Sequence, residues 1–144
     1  MPERRHPRGL VDTSVVIDLD RIDPTLLPEM LAISAVTMAE LAAGPHATDD
    51  PLERARRQER LQRAERAFDP LPVDAAVARS YGLVYAAVAA AGRKALGRRA
   101  LDLLLAATAL RSNLPLYTRN PTDFAELEAL VEVVCVDVRP SDQS

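Results

Sequence analysis

The sequence is short of cysteine, histidine and aromatic residues, and each shortage excludes a class of site. Its 144 residues include one cysteine, Cys135, so an internal disulfide framework and a cysteine-rich metal site are excluded. Cys135 lies in an apolar run, and we expect it to be buried. The two histidines, His6 and His46, fall outside the predicted helices and strands, which argues against a histidine acid–base pair. With 3% aromatic residues and no tryptophan, base stacking is a minor option.

Long apolar runs and a strong net charge are also missing. No stretch approaches the roughly 18 apolar residues of a membrane span, and no secretory leader is recognised, so we expect a cytoplasmic protein with no membrane partner. The net charge of −3 provides no global attraction for nucleic acid. All cations except Lys94 are arginine, which suits bidentate phosphate or carboxylate contacts. We expect a flexible lead-in over 1–8, one domain over 9–138 and a loose tail over 139–144.

Short apolar segments alternate with helical ones along the chain. Strands are predicted at 9–12, 32–36, 70–73, 114–118 and 131–136. This alternation predicts an α/β fold with a parallel sheet covered by helices on both faces. Ligands of such sheets bind outside the carboxyl ends of the strands. Asp12 ends the first strand and Asn120 follows the fourth, so we expect both in one crevice.

Four acidic residues stand at the ends of elements or on otherwise apolar helices: Asp12, Glu40, Asp102 and Asp123. Asp102 is the clearest, because its helix RRALDLLLAATAL (98–110) is nearly all apolar beyond its first turn. Burying an unpaired carboxylate costs several kcal/mol, so Asp102 needs a cation or a metal. Carboxylates in one crevice would suit a hard dication such as Mg²⁺ or Mn²⁺, which can activate water against a phosphoryl group.

Each acid also has a purely structural interpretation. These interpretations are a helix N-cap for Asp12, a capping box with Thr37 for Glu40, and a favourable helix-dipole position for Asp123. For Asp102 it is an ion pair with Arg98 or Arg99, of which Arg98 is the better placed. Spacing alone leaves both interpretations of every acid open.

Four blocks of the sequence together resemble PIN-domain toxins of the VapC type. The blocks are GLVDTSVVIDL (9–19), SAVTMAELAAG (34–44), RRALDLLLAATAL (98–110) and LPLYTRNPTDF (114–124). They follow the order and approximate spacing of that family, and the resemblance spans about residues 9–138. It implies a three-layer α/β/α sandwich with a parallel sheet of about five strands. It also implies an Mg²⁺- or Mn²⁺-dependent endoribonuclease toxin that leaves 5′-phosphate and 3′-hydroxyl ends and is inhibited by a cognate antitoxin.

The resemblance also assigns roles to residues. Asp12, Glu40 and Asp102 match the family's first three metal carboxylates. Asp123 is favoured as the fourth, with Asn120 as an oxygen ligand or a holder of water, although Asn120 as the fourth ligand stays open. Supporting hydroxyl groups are expected from Thr13, Ser14 and Thr118.

The expected partners are RNA, an antitoxin and a second copy of the chain. The RNA could be a transfer RNA or a ribosomal RNA. Cations near the crevice could bind its phosphates, or they could simply belong to a solvated helix end. These cations are Arg93, Lys94, Arg98, Arg99 and Arg119. The segments 24–43 and 52–68 resemble the family's antitoxin-binding arms, and 75–91 could contribute to a homodimer.

Two other function classes remain open. One is a non-toxin PIN-like nuclease, for RNA processing or for structured DNA, although a DNA nuclease of that kind would need a longer chain. The other is a non-enzymatic Mg²⁺-binding α/β regulatory module. A phospho-receiver of that kind would need a lysine after a late strand, and Lys94 lies between two predicted helices.

Overall fold

The structure is a computed structural model, and it describes residues 6–95 and 97–138 of the chain. Most of the predicted lead-in and the whole predicted tail 139–144 lie outside the described residues. At the described end of the lead-in, the carbonyl groups of His6 and Pro7 accept hydrogen bonds of 3.0 Å from the backbone N–H groups of Glu29 and Met30. The described end of the lead-in is therefore hydrogen-bonded to the domain, and its last residue, Arg8, begins the first strand.

Within residues 6–95 and 97–138, four short strands form one parallel sheet. They are β1 (Arg8–Val11), β2 (Met30–Ala32), β3 (Leu116–Thr118) and β4 (Val133–Cys135), and their order in the sheet is β2-β1-β3-β4. The predicted strand at 70–73 is reduced to a single bridge between Leu71 and Ser34. Pro70 and Pro72 flank Leu71 and have no N–H to donate, which limits the pairing to one residue.

In the part of the chain that the structure describes, five α-helices connect and cover the strands. They are α1 (Thr13–Ile17), α2 (Ala35–Ala43), α3 (Pro51–Ala67), α4 (Ala75–Ala90) and α5 (Arg98–Ser112). Short 3₁₀ helices lie at Leu19–Arg21, Pro24–Leu26, Gly44–Ala47 and Pro121–Leu127. We call the last of these the 120s turn. Phe124 has non-helical backbone angles within this turn.

The start of α2 differs from the prediction. Ser34, not Thr37, is the N-cap, and its hydroxyl accepts a 3.0 Å hydrogen bond from the N–H of Val36. The strand predicted over 32–36 therefore ends at Ala32, and β2 begins at Met30, two residues before the predicted start. The capping-box interpretation of Glu40 is wrong, because Thr37 lies inside the helix and caps nothing.

The sheet separates two apolar cores, and this confirms the three-layer sandwich. Leu10 and Leu116 face α4, α5 and the 120s turn, while Val11 and Tyr117 face α1, α2 and α3. Successive strand residues thus enter opposite cores, as the two-residue period of a strand requires. The prediction for Cys135 is wrong: its side chain is exposed, since it ends the edge strand β4.

The carboxyl ends of β1 and β3 lie side by side at the centre of the sheet. Asp12 follows β1, and its N–H donates a 3.0 Å hydrogen bond to the carbonyl of Tyr117 in β3. Helices α2 and α5 pack against each other. Within the described residues, no helix is both long enough and apolar enough to span a bilayer.

Candidate active site

Asp12 is a buried carboxylate, with 6% of its surface exposed. It caps α1, since its Oδ1 accepts hydrogen bonds from the N–H of Val15 (3.2 Å) and the hydroxyl of Ser14 (2.5 Å). Burial raises the pKa of Asp12, and hydrogen bonds from Ser14, Thr118 and Val15 offset part of the rise. The capping interpretation is therefore correct, but it does not supply the positive charge that a buried carboxylate requires.

Glu40 is oriented by a threonine from another element. Thr13, the first residue of α1, donates from its hydroxyl to Oε1 of Glu40 at 2.7 Å. The same hydroxyl lies 3.1 Å from that of Thr37, which is fully buried. Thr37 and Glu40 are three residues apart on α2 and share one face of the helix. This network fixes the Glu40 carboxylate next to Thr13, the residue that follows Asp12.

Asp102 connects the acids electrostatically. Burial and then the negative charges of Asp123 and Glu40 raise its pKa from 3.8 to about 6, with a smaller contribution from Asp12 and a partial offset from Arg98. Among the described residues, Asp102 forms an ion pair with neither Arg98 nor Arg99, and Arg99 pairs with Glu126 instead. The three acids that act on Asp102 belong to the 120s turn, α2 and the start of α1, so the fold brings distant parts of the chain together here.

The cluster is not a preformed coordination shell. Within the described ranges, no three acidic, histidine or cysteine side chains are close enough to constitute a ready metal group. The carboxylates therefore interact through their charges rather than by sharing one point. Their donor atoms are all oxygens, the type that Mg²⁺ and Mn²⁺ prefer, and Mg²⁺ commonly binds through one or two carboxylates and several waters.

The predicted supporting residues line the same strand ends. The Ser14 hydroxyl, which donates to Asp12, accepts a 3.1 Å hydrogen bond from the N–H of Arg119. The buried Thr118 accepts one of 3.0 Å from the N–H of Asn120. The side chain of Asn120 is exposed and does not cap the 120s turn that follows it.

Three of the five cations predicted to contact RNA are held in ion pairs. Arg93 and Arg99 both pair with Glu126, the latter at 2.8 Å, and Arg119 pairs with Asp18. Lys94 and Arg98 are exposed and have no ion pair among the described residues. Arg93 and Arg99 thus attach their segments to the 120s turn, which contains Glu126. Arg119 attaches the segment after β3 to Asp18, at the end of α1.

The sequence interpretation missed two groups of residues near the site. Thr37 was treated only as a cap, although its spacing from Glu40 already placed both on one helix face. Arg57 and Arg60 of α3 line a cleft together with Thr13 and Glu40. The three-residue spacing of Arg57 and Arg60 is visible in the sequence. It does not distinguish them, because the helix contains many other arginines.

The raised pKa of Asp102 predicts how stability depends on pH in chelator-treated protein. The folded state, with a pKa of about 6 against 3.8, binds more protons between these two values. The contribution of Asp102 to stability is therefore greatest below pH 4 and is lost as the pH rises to about 6. Discounted for solvent screening, the loss is on the order of 1 kcal/mol. Urea unfolding of the wild type and Asp102→Asn from pH 4 to pH 7 measures it, and parallel curves for the two proteins would contradict it.

The PIN domain family matches residues 9–130, and the chain belongs to this family. Among curated proteins, it is 34% identical over 133 residues to Ribonuclease VapC5 of Mycobacterium tuberculosis, covering 90% of this chain and 95% of the relative. It is 33% identical over 132 residues to Ribonuclease VapC4 of the same organism, covering 90% and 97%.

Solved structures agree with this placement. The crystal structure of VapBC-5 from Mycobacterium tuberculosis, described as a member of the VapBC family of toxin–antitoxin systems, contains a chain that matches with a TM-score of 0.77 and 34% identity. That match covers 93% of this chain and 99% of the other. FitAcB from Neisseria gonorrhoeae matches with a TM-score of 0.68 and 28% identity, covering 86% and 94%.

Proposed function

We propose that this protein is a metal-dependent endoribonuclease, the toxin of a toxin–antitoxin pair, and that Asp12, Glu40, Asp102 and Asp123 form its active site. The observation that carries the proposal is the raised pKa of Asp102 under the charges of the other three acids. A group of carboxylates that destabilise one another is costly to fold and is useful when a cation joins it. The relatives named as ribonucleases match over nine tenths of the chain.

The donor set fits a hard dication. Asp12 and Asp102 would hold Mg²⁺ or Mn²⁺, with Glu40 and Asp123 binding directly or through water, and Asn120 is the other oxygen available beside Asp123. When bound, the ion would supply positive charge against the phosphate and a lowered pKa for the attacking water. The preformed charge repulsion at Asp102 would be relieved by that ion.

The chain's own residues position these groups. Ser14 and the N–H of Val15 hold the Asp12 carboxylate at the carboxyl end of β1. Thr13 holds the Glu40 carboxylate by a 2.7 Å hydrogen bond, and a carboxylate held in this way can accept a proton or orient a water. Because catalysis depends on such fixed geometry, the supporting hydroxyls belong to the proposed site.

An antitoxin is the proposed inhibitor, since the VapBC-5 and FitAcB structures, which match with TM-scores of 0.77 and 0.68, carry the names of such systems. A cleft of about 210 Å³ between α1 and α3, lined by both apolar and charged side chains, is the proposed binding site for it. Its lining includes Val16, Ile17, Leu19, Ala64 and Phe68. On α4, Leu83 and Tyr85 are 60% and 50% exposed on either side of the buried Val84, and we propose the exposed surface of this helix for a homodimer.

Sequencing of RNA 5′ ends after induced expression tests the proposed function. Libraries that capture only 5′-phosphate ends should contain new ends with the wild type and none of them with Asp102→Asn at equal protein level. The positions of the ends would show whether transfer RNA or ribosomal RNA is cut. Coexpression of the cognate antitoxin should remove them. If the wild type accumulates and no new 5′-phosphate ends arise, the proposal is wrong.

A further inference from the structure

A second cleft, of about 310 Å³, lies between α2 and α3 and borders the proposed active site. One side contains Glu40 of the carboxylate cluster and Thr13, whose hydroxyl donates to it. The other side contains Glu53, Arg57 and Arg60 from α3. The cleft thus joins the acidic groups to two guanidinium groups that no step of the proposed reaction has used.

The two arginines differ in their partners. Arg57 is held in place: its Nε donates to Oε1 of Glu53 at 3.0 Å, and its Nη1 donates to the carbonyl of Gly44 at 2.9 Å. Arg60 is half-buried, and among the residues that the structure describes it forms no ion pair. The charge of Arg57 is largely compensated by Glu53, whereas the charge of Arg60 is not.

We propose that Arg60, next to Arg57, binds a backbone phosphate of the RNA strand beside the bond that is cut. The proposal rests on the proposed function. A protein of net charge −3 with a carboxylate cluster repels RNA, so binding needs positive charge close to that cluster. A guanidinium group matches the geometry of a phosphate and is charged at every relevant pH.

The position of Arg60 favours RNA over a protein partner. Arg60 also borders the cleft between α1 and α3, where the aliphatic part of its side chain can contact the apolar face of a partner helix. The cleft with Thr13 and Glu40 is different, because a strand whose phosphate reaches Glu40 through this cleft would pass Arg60. The contact would be made whatever the base sequence, so it contributes affinity and not sequence preference.

Binding of a short fluorescein-labelled single-stranded RNA of mixed sequence tests this. Fluorescence anisotropy in Mg²⁺ would compare Arg60→Gln with Arg66→Gln, an exposed arginine of the same helix outside both clefts. Each variant would carry Asp102→Asn to prevent cleavage. We expect Arg60→Gln to raise Kd about fivefold at low salt and to reduce the slope of log K against log salt by about 0.7, the value for one phosphate of a single strand. Arg66→Gln should leave both close to those of the parent.

Two further measurements make the outcome unambiguous. Arg60→Lys keeps the charge and should retain the salt slope while losing part of the affinity, which guards against misfolding of the glutamine variant. In the otherwise native chain, Arg60→Gln should raise KM for RNA cleavage more than it lowers kcat.

The results that would overturn the inference are distinct from those that would overturn the function. If the wild type cuts RNA and Arg60→Gln binds RNA like Arg66→Gln, the assignment of Arg60 is wrong and the function stands. If Arg60→Gln keeps its RNA affinity and loses affinity for the antitoxin, Arg60 serves the protein partner and the inference is wrong. If the wild type cuts no RNA, both fail.

Discussion

Asp102→Asn is expected to reduce RNA cleavage about 10³-fold, because it removes one of the two carboxylates proposed to hold the dication and so several kcal/mol of transition-state stabilisation. The substitution keeps the size of the side chain and removes its charge. It also removes the repulsion from Asp123, Glu40 and Asp12 that raises the pKa of Asp102. We therefore expect the variant to be more stable than the wild type at pH 7 when both are treated with chelator. In Mg²⁺ it should be almost inactive.

Initial cleavage rates of purified protein in Mg²⁺, together with urea unfolding in EDTA, measure both effects. Asp69→Asn is the matched control, because Asp69 is exposed and lies outside the cluster. It should change neither activity nor stability appreciably. Wild-type cleavage rates in Asp102→Asn would show that this carboxylate does not take part in catalysis.

Leu103→Ala, one residue further along α5, is expected to have the opposite profile. Leu103 is fully buried in the core that also contains Leu10, Val84 and Phe124. Truncating a buried leucine leaves a cavity, and we expect the free energy of unfolding to fall by about 3 kcal/mol. Leu103 lies outside the carboxylate cluster, so specific activity well below the melting temperature should stay within about twofold of the wild type.

Chemical denaturation measures the loss, with Leu52→Ala as the control. Leu52 is 60% exposed on α3, so its truncation should cost less than about 0.5 kcal/mol. Equal losses in the two variants would contradict the assignment of the buried face of α5. A loss of activity in Leu103→Ala without a loss of stability would show that the neighbours of Asp102 in the core also control its position.

The sequence predicted the parts of this protein that local pattern determines. The alternation of apolar strands and helices predicted the parallel three-layer fold, and Asp102 was conspicuous because its helix is otherwise apolar. The residue order also placed Asp12 at the carboxyl end of a strand. These features depend on a few neighbouring residues and on the general rules of parallel sheets.

Features that depend on distant partners could not be read from the sequence. The hydrogen bond from Thr13 to Glu40 joins residues 27 positions apart, and the pairing of Arg99 with Glu126 joins residues equally far apart. The N-cap of α2 could not be assigned from the sequence either. Ser34 and Thr37 are both good N-cap residues, and only the folded helix shows that Ser34 is used.

Calorimetric titration of Mn²⁺ into EDTA-treated, dialysed protein at pH 6 tests the central claim most directly. At that pH Asp102 is about half protonated, so ion binding should release protons and its heat should change with the ionisation enthalpy of the buffer. We predict saturable, buffer-dependent binding to the wild type and binding at least about tenfold weaker to Asp102→Asn. Absence of binding to the wild type, or equal binding to both proteins, would contradict the account.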